Sequence, residues 1–122
     1  MPAKKSKAVT ALDILRYARA LLAKRGGWTK VFYARTAKSI GTDATADNAC
    51  KFCALGAIMR ASHDLGIDYG ELSHKVYAVN ALRQALPVRD QGVISFNDAQ
   101  TTVKPILAAY DRAIAKLEAQ HG

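Results

Sequence analysis

Cys50-Lys51-Phe52-Cys53-Ala54-Leu55-Gly56-Ala57-Ile58-Met59-Arg60-Ala61 is the stretch whose reading decides the fold. It holds both cysteines of the chain, and Ala54, Gly56, Ala57 and Ala61 leave so little side chain that another backbone can approach closely. Such a run reads as a helix buried in the middle of the molecule. Ser39 to Asn48, just upstream, is a polar loop with Gly41 as a breaker. Asp43 or Thr45 is therefore expected to cap the central helix, which should end between His63 and Gly66.

Upstream of that loop, Trp28 to Ala37 mixes strand-favouring Val31, Phe32 and Tyr33 with alanines, and reads as irregular with a short extended piece. The Trp28 ring is expected over the end of a first helix, which runs from a Thr10 cap to about Arg25 and is stopped by Gly26-Gly27. That helix has a broad apolar stripe in Leu12, Ile14, Leu15, Ala18, Leu21 and Leu22. Residues 1–8, with one Pro and three Lys, offer nothing to bury and read as a disordered basic tail, leaving 9–122 as a single helical domain.

Downstream, Asp68 and Glu71 have the spacing of a capping box for a helix with the stripe Leu72, Val76, Val79, Leu82 and Leu86, ended by Pro87. Val93 to Phe96 is a short apolar run, expected to be extended and available to pair with Val31 to Tyr33. The last helix is capped by Thr102, tolerates Pro105 in its first turn, and gathers Val103, Ile106, Leu107, Tyr110, Ile114 and Leu117 on one face. The fold class is mainly α: one compact bundle of four to five helices with one short two-stranded extended pairing.

Composition agrees, since 50% of the 122 residues are hydrophobic but only 7% aromatic, a balance that favours helices over a β-sandwich. No run of 18 or more apolar residues and no signal-peptide core is present, so the protein is expected in the cytoplasm without a membrane partner. The net charge of +8 is unevenly spread: residues 1–42 hold ten basic residues against one acidic, residues 43–122 eight against nine. That asymmetry points to an anionic partner, nucleic acid or an acidic protein surface, with Lys24, Arg25, Lys30, Arg35 and Lys38 as the contacts and Trp28, Phe32 and Tyr33 as stacking groups. The alternative is a solvated helix face beside a basic tail. A helix-turn-helix is not legible, because the pair 46–66 and 71–86 puts no basic face on its second helix; sequence-specific DNA reading is not expected.

Cys50-x-x-Cys53 raises redox and zinc chemistry. A thioredoxin-like pair follows a strand, whereas Thr45 to Ala49 reads as loop and cap. Zinc would need two of His63, His74 and His121 at spacings that match no finger, so no metal or cofactor is expected. As a nucleophile, Cys53 would use a helix dipole to favour its thiolate, His74 or His63 as base, and Asn97 or Asp98 to orient that base. The plainer readings are a buried cysteine, and an Asn97-Asp98 turn whose side chains bond neighbouring amides.

Ala11-Leu12-Asp13-Ile14-Leu15, Gly27-Trp28-Thr29, Ala34-Arg35, Phe52-Cys53-Ala54-Leu55-Gly56-Ala57, Phe96-Asn97-Asp98 with Thr102, and Asp111-Arg112-Ala113-Ile114 together resemble the bacterial and phage domain-of-unknown-function family 6197. The family usually has Trp where this chain has Phe52 and Phe96. The resemblance implies one compact domain of phage or mobile-element origin and carries no activity. It matches Cys53 but has an aliphatic residue at the place of Cys50, which argues against a working cysteine pair. Three functions follow in order: a basic, non-enzymatic module that binds nucleic acid without sequence-specific readout, an interaction or inhibitor protein, and a cysteine hydrolase built on Cys53 with His74 and Asp98.

Overall fold

Leu12, Ile14, Leu15, Ala18 and Leu22 recur at helical spacing and all are buried, so the helix they form must be covered on more than one side. In the computed structural model, which describes residues 7–67, 72–88 and 90–121, this helix is α1 (Lys7–Ala23), packed against three others. They are α2 (Ala54–Asp64), α3 (Leu72–Gln84) and α5 (Lys104–His121). A one-and-a-half-turn helix, α4 (Val93–Asp98), lies on α2 and α3. A small antiparallel sheet in the order β2-β1-β3 is built from β1 (Ala34–Arg35), β2 (Gly41–Thr42) and β3 (Lys51–Phe52). The fold is mainly α with a short extended pairing, as the composition implies. Among the described residues no helix is long and apolar enough to cross a membrane.

α1 rather than the alanine-rich helix is central. Gly56 of α2 admits a loop as well as the packing on α1: a Cβ there would collide with the Tyr33 carbonyl oxygen. α5 is tied to α2 by Tyr110, fully buried, whose hydroxyl donates to the Ala54 carbonyl at 2.6 Å. Ile106, Ala109, Ala113 and Leu117 complete its buried face, while Val103, Leu107 and Ile114 flank it half-buried.

Several expected boundaries move. α2 begins at Ala54 and not after Asp43 or Thr45, because Cys50 to Phe52 are drawn into the sheet, with Ala34 paired to Phe52 and Arg35 to Lys51. Val93 to Phe96 is helical rather than extended: Val93 and Phe96, three apart, face the core while Ile94 and Ser95 face out, and Phe96 N–H bonds the Gly92 carbonyl. It therefore cannot pair with Val31 to Tyr33, and β1 pairs with β2 and β3 instead. Thr10 sits inside α1, which has already begun at Lys7, so that Lys7 and Ala8 are not tail; residues 1–6 lie outside the described residues. Thr102 is exposed, and the carbonyl of Val103 takes the first amide of α5 from Leu107. Among the described side chains of α3, Ala78 and Leu82 are buried in the core, whereas Val76 of the expected stripe is left 52% exposed. The Asp68 and Glu71 capping box lies outside the described residues.

Candidate functional site

Asn97, on α4, joins the loop that carries Trp28 to the start of α2. Its Oδ1 accepts from the Trp28 indole N–H at 2.8 Å and from the Ala54 amide at 2.9 Å, and its Nδ2 donates to the Thr29 carbonyl and to Asp98 Oδ1. Asp98 Oδ1 also accepts the Val31 amide at 2.9 Å. The Asn97-Asp98 pair is thus a clamp that closes the loop 28–33 over the start of α2.

Cys53 is the N-cap of α2: its extended backbone turns into the helix, and its Sγ accepts the Gly56 amide at 3.2 Å. Its own amide bonds the Tyr33 carbonyl, Ala54 N–H is taken by Asn97, and Leu55 N–H also faces the sulfur. The Cys53 and Ala54 amides are thus spent inside the fold, while those of Gly56 and Leu55 are turned to the sulfur. Burial pushes the thiol pKa up, the amides of Gly56 and Leu55 oppose this, and the nearby Asp98 charge adds to it; the net shift is upward. His63, at the other end of α2, is about 15 Å along the helix from Cys53. His74 lies on α3. The cleft that Cys53 borders is lined by Val31, Phe32, Tyr33, Gly41, Thr42, Asp43, Ile94 and Asp98, with no histidine among them. Asn97 stands beside the cap, but its amide is bonded to Trp28, Thr29, Ala54 and Asp98 and to no histidine, and the Asp98 charge disfavours ionisation of the thiol instead of assisting it. Cys50 is exposed and Cys53 buried, and no metal-competent cluster of His, Cys, Asp and Glu forms among the described residues.

The cations sort into two kinds. Lys24, Arg25 and Lys38 are exposed. Lys30 and Arg35 are half-buried and hold the loop: Lys30 Nζ donates to the Gln100 carbonyl at 2.8 Å, and the Arg35 guanidinium donates to the Ser39 and Lys30 carbonyls. Arg35 also lies over the Phe32 ring, 4.4 Å from its centroid, in a cation–π contact. Lys51, which lies outside the basic stretch 1–42, joins them through β3, its Nζ on Ser39 Oγ at 2.9 Å. Its pairing opposite Arg35 is a consequence of sheet register. Among the described residues none of these six cations has an acidic partner, whereas Arg16, Arg19 and Arg60 are paired with Glu118, Asp111 and Asp64.

Of the three aromatic candidates, Trp28 is a half-buried packing group, while Phe32 and Tyr33 are 45% and 46% exposed. They stand with exposed Val31, Ile40 and Ile94, an apolar surface edged by Arg35, Lys38 and Lys51. Phe32 covers Gly41, where a Cβ would come within 2.5 Å of its ring. Val31 has φ +77°, an unfavourable conformation for a β-branched residue that its bond to Asp98 maintains.

No curated protein and no solved structure matches the chain. A family model does, over residues 6–116, so that the Cys53 cap and the Asn97-Asp98 clamp both lie within the matched region. The chain belongs to DUF6197, a family of unknown function.

Proposed function

We propose that the loop 28–42 and its sheet form the binding face of a small, non-enzymatic cytoplasmic module for single-stranded nucleic acid. The observation that carries the reading is the exposure of Phe32 and Tyr33 beside cations that have no acidic partner among the described residues. Bases stack on Tyr33 and on the outer face of the Arg35 guanidinium, which Phe32 supports from beneath. Lys38 and Lys51 neutralise phosphates, with Lys24 and Arg25 extending the positive field. Stacking and charge neutralisation by themselves read no sequence. The strained Val31 backbone fits this reading, since such outliers gather where a loop is held in shape for a ligand.

Fluorescence titration with single-stranded DNA, single-stranded RNA and duplex at two salt concentrations tests it. Single strands are expected to bind more tightly than duplex, with log affinity falling by about 0.7 per neutralised phosphate for each unit of log salt. Exchanging Tyr33 for Ala is expected to weaken binding by about 1–3 kcal/mol for the lost stack while leaving the melting transition in place, since its ring is 46% exposed. The exposed Val31, Ile40 and Ile94 favour a second reading, a protein-docking surface, and this leads if no nucleic acid binds at low salt.

A further inference from the structure

The sign of charge changes across the proposed face. Arg35, Lys38 and Lys51 edge it, but the cleft beneath the aromatic loop, about 600 Å³ in volume, has Asp43, Asp98 and Thr42 in its walls together with Val31, Phe32, Tyr33 and Ile94. A phosphate is repelled by that interior and favoured on the rim, so a bound strand keeps its backbone outside and turns a base inward. Apolar walls accept the faces of any base, and the polar groups decide which edge fits.

We infer that the cleft is a subsite selective for guanine, an inference that rests on the single-strand reading above. Asp43 is exposed, and among the described residues neither of its carboxylate oxygens has a hydrogen-bond partner. A carboxylate with two open oxygens accepts two parallel N–H donors. Guanine presents such a pair, N1–H and N2–H, on its Watson–Crick edge. Adenine and cytosine offer one amino group beside an acceptor, and thymine one N–H between two acceptors. Thr42, next in sequence and in the same wall, supplies the hydroxyl donor for the adjoining guanine O6. Asp98 contributes charge rather than a second docking point, because its Oδ1 is already held by Val31 and Asn97.

The test varies the ligand first, which leaves the fold untouched. The full chain is titrated with a short oligothymidylate and with versions whose central base is guanine, adenine, cytosine or hypoxanthine, which keeps N1–H but lacks the N2 amino group. The guanine strand is expected to bind roughly fivefold to a hundredfold more tightly than the thymine strand, with hypoxanthine between them. Asp43→Asn, checked for an unchanged cooperative melt, is expected to bring guanine down to the level of the other bases. Equal affinities for all the central bases, or a guanine preference that survives Asp43→Asn, overturn the subsite and leave the single-strand reading standing. Failure of every strand to bind at low salt overturns both.

Discussion

Asn97 shows how much one residue can hold: a fully buried amide that satisfies an indole, a helix-start amide and a loop carbonyl. Asn97→Ala orphans the Trp28 N–H and the Ala54 N–H at a cost of about 1–3 kcal/mol each, a large share of a typical stability of about 5–15 kcal/mol. Urea denaturation is expected to show a midpoint far below wild type. Cys53 makes a different prediction. Its thiol and the fully buried Tyr110 hydroxyl both have pKa values raised by burial, so above the ordinary thiol range the unfolded chain gives up a proton that the folded chain keeps. Stability is then intact below that range and falls as pH rises through it towards the folded values. Urea midpoints measured from about pH 7 to pH 10 are expected to decline from about pH 8.5. Cys53→Ser, which keeps a capping oxygen, is expected to delay the decline until Tyr110 titrates. In thiol labelling at neutral pH, exposed Cys50 reacts fast and buried Cys53 slowly.

At the scale of elements, α2 and the loop above it are one unit, because Gly56 lets the Tyr33 carbonyl rest on the helix. Gly56→Ala puts a methyl into backbone that is pinned by the Cys53 amide, and overpacking of this kind costs about 1–3 kcal/mol. The measurable result is a lower urea midpoint together with a displaced loop, seen as a change in Trp28 fluorescence. Truncation before Val103 removes Ile106, Tyr110 and Leu117 from the core along with the Tyr110 bond to Ala54. With about 1.5–3 kcal/mol for each of these large side chains, the remaining chain is expected to melt without cooperativity. A sharp transition in the truncated chain would show that α5 is an appendage.

The whole molecule carries its charge unevenly in space as well as in sequence. Arg16 and Arg19 of α1 are turned to Glu118 and Asp111 of α5, so the excess that counting attributes to residues 1–42 is partly neutralised by the C-terminal helix. The loop 28–42, with Lys51 from β3, keeps its share. Lys38→Glu is therefore expected to weaken nucleic-acid binding and flatten its salt dependence, whereas Arg83→Glu, on the exposed side of α3, is expected to change neither. Arg112 is a poorer control, since its Nε donates to the Ala85 carbonyl at the end of α3. Lys30→Glu and Arg35→Glu would break bonds that shape the loop, so a loss of binding in either mixes charge with structure.

Composition and periodicity together determined the mainly α class, and periodicity the apolar stripes of α1 and α5, because a 3.6-residue repeat of large apolar side chains is written in local order and needs no partner to be read. The same local order misled at Val93 to Phe96, where a short apolar run suits a strand or a turn of helix, and burial of Val93 and Phe96 on one side chose the helix. Tertiary structure decided where α2 begins, since the cap depends on a side chain 43 residues further on, Asn97, and on strand register that draws Cys50 to Phe52 into a sheet. It also decided which of the basic residues stand free and which aromatics face outward. Charge and hydrophobicity are properties of a residue, but exposure and pairing belong to neighbours that only folding brings within hydrogen-bonding distance.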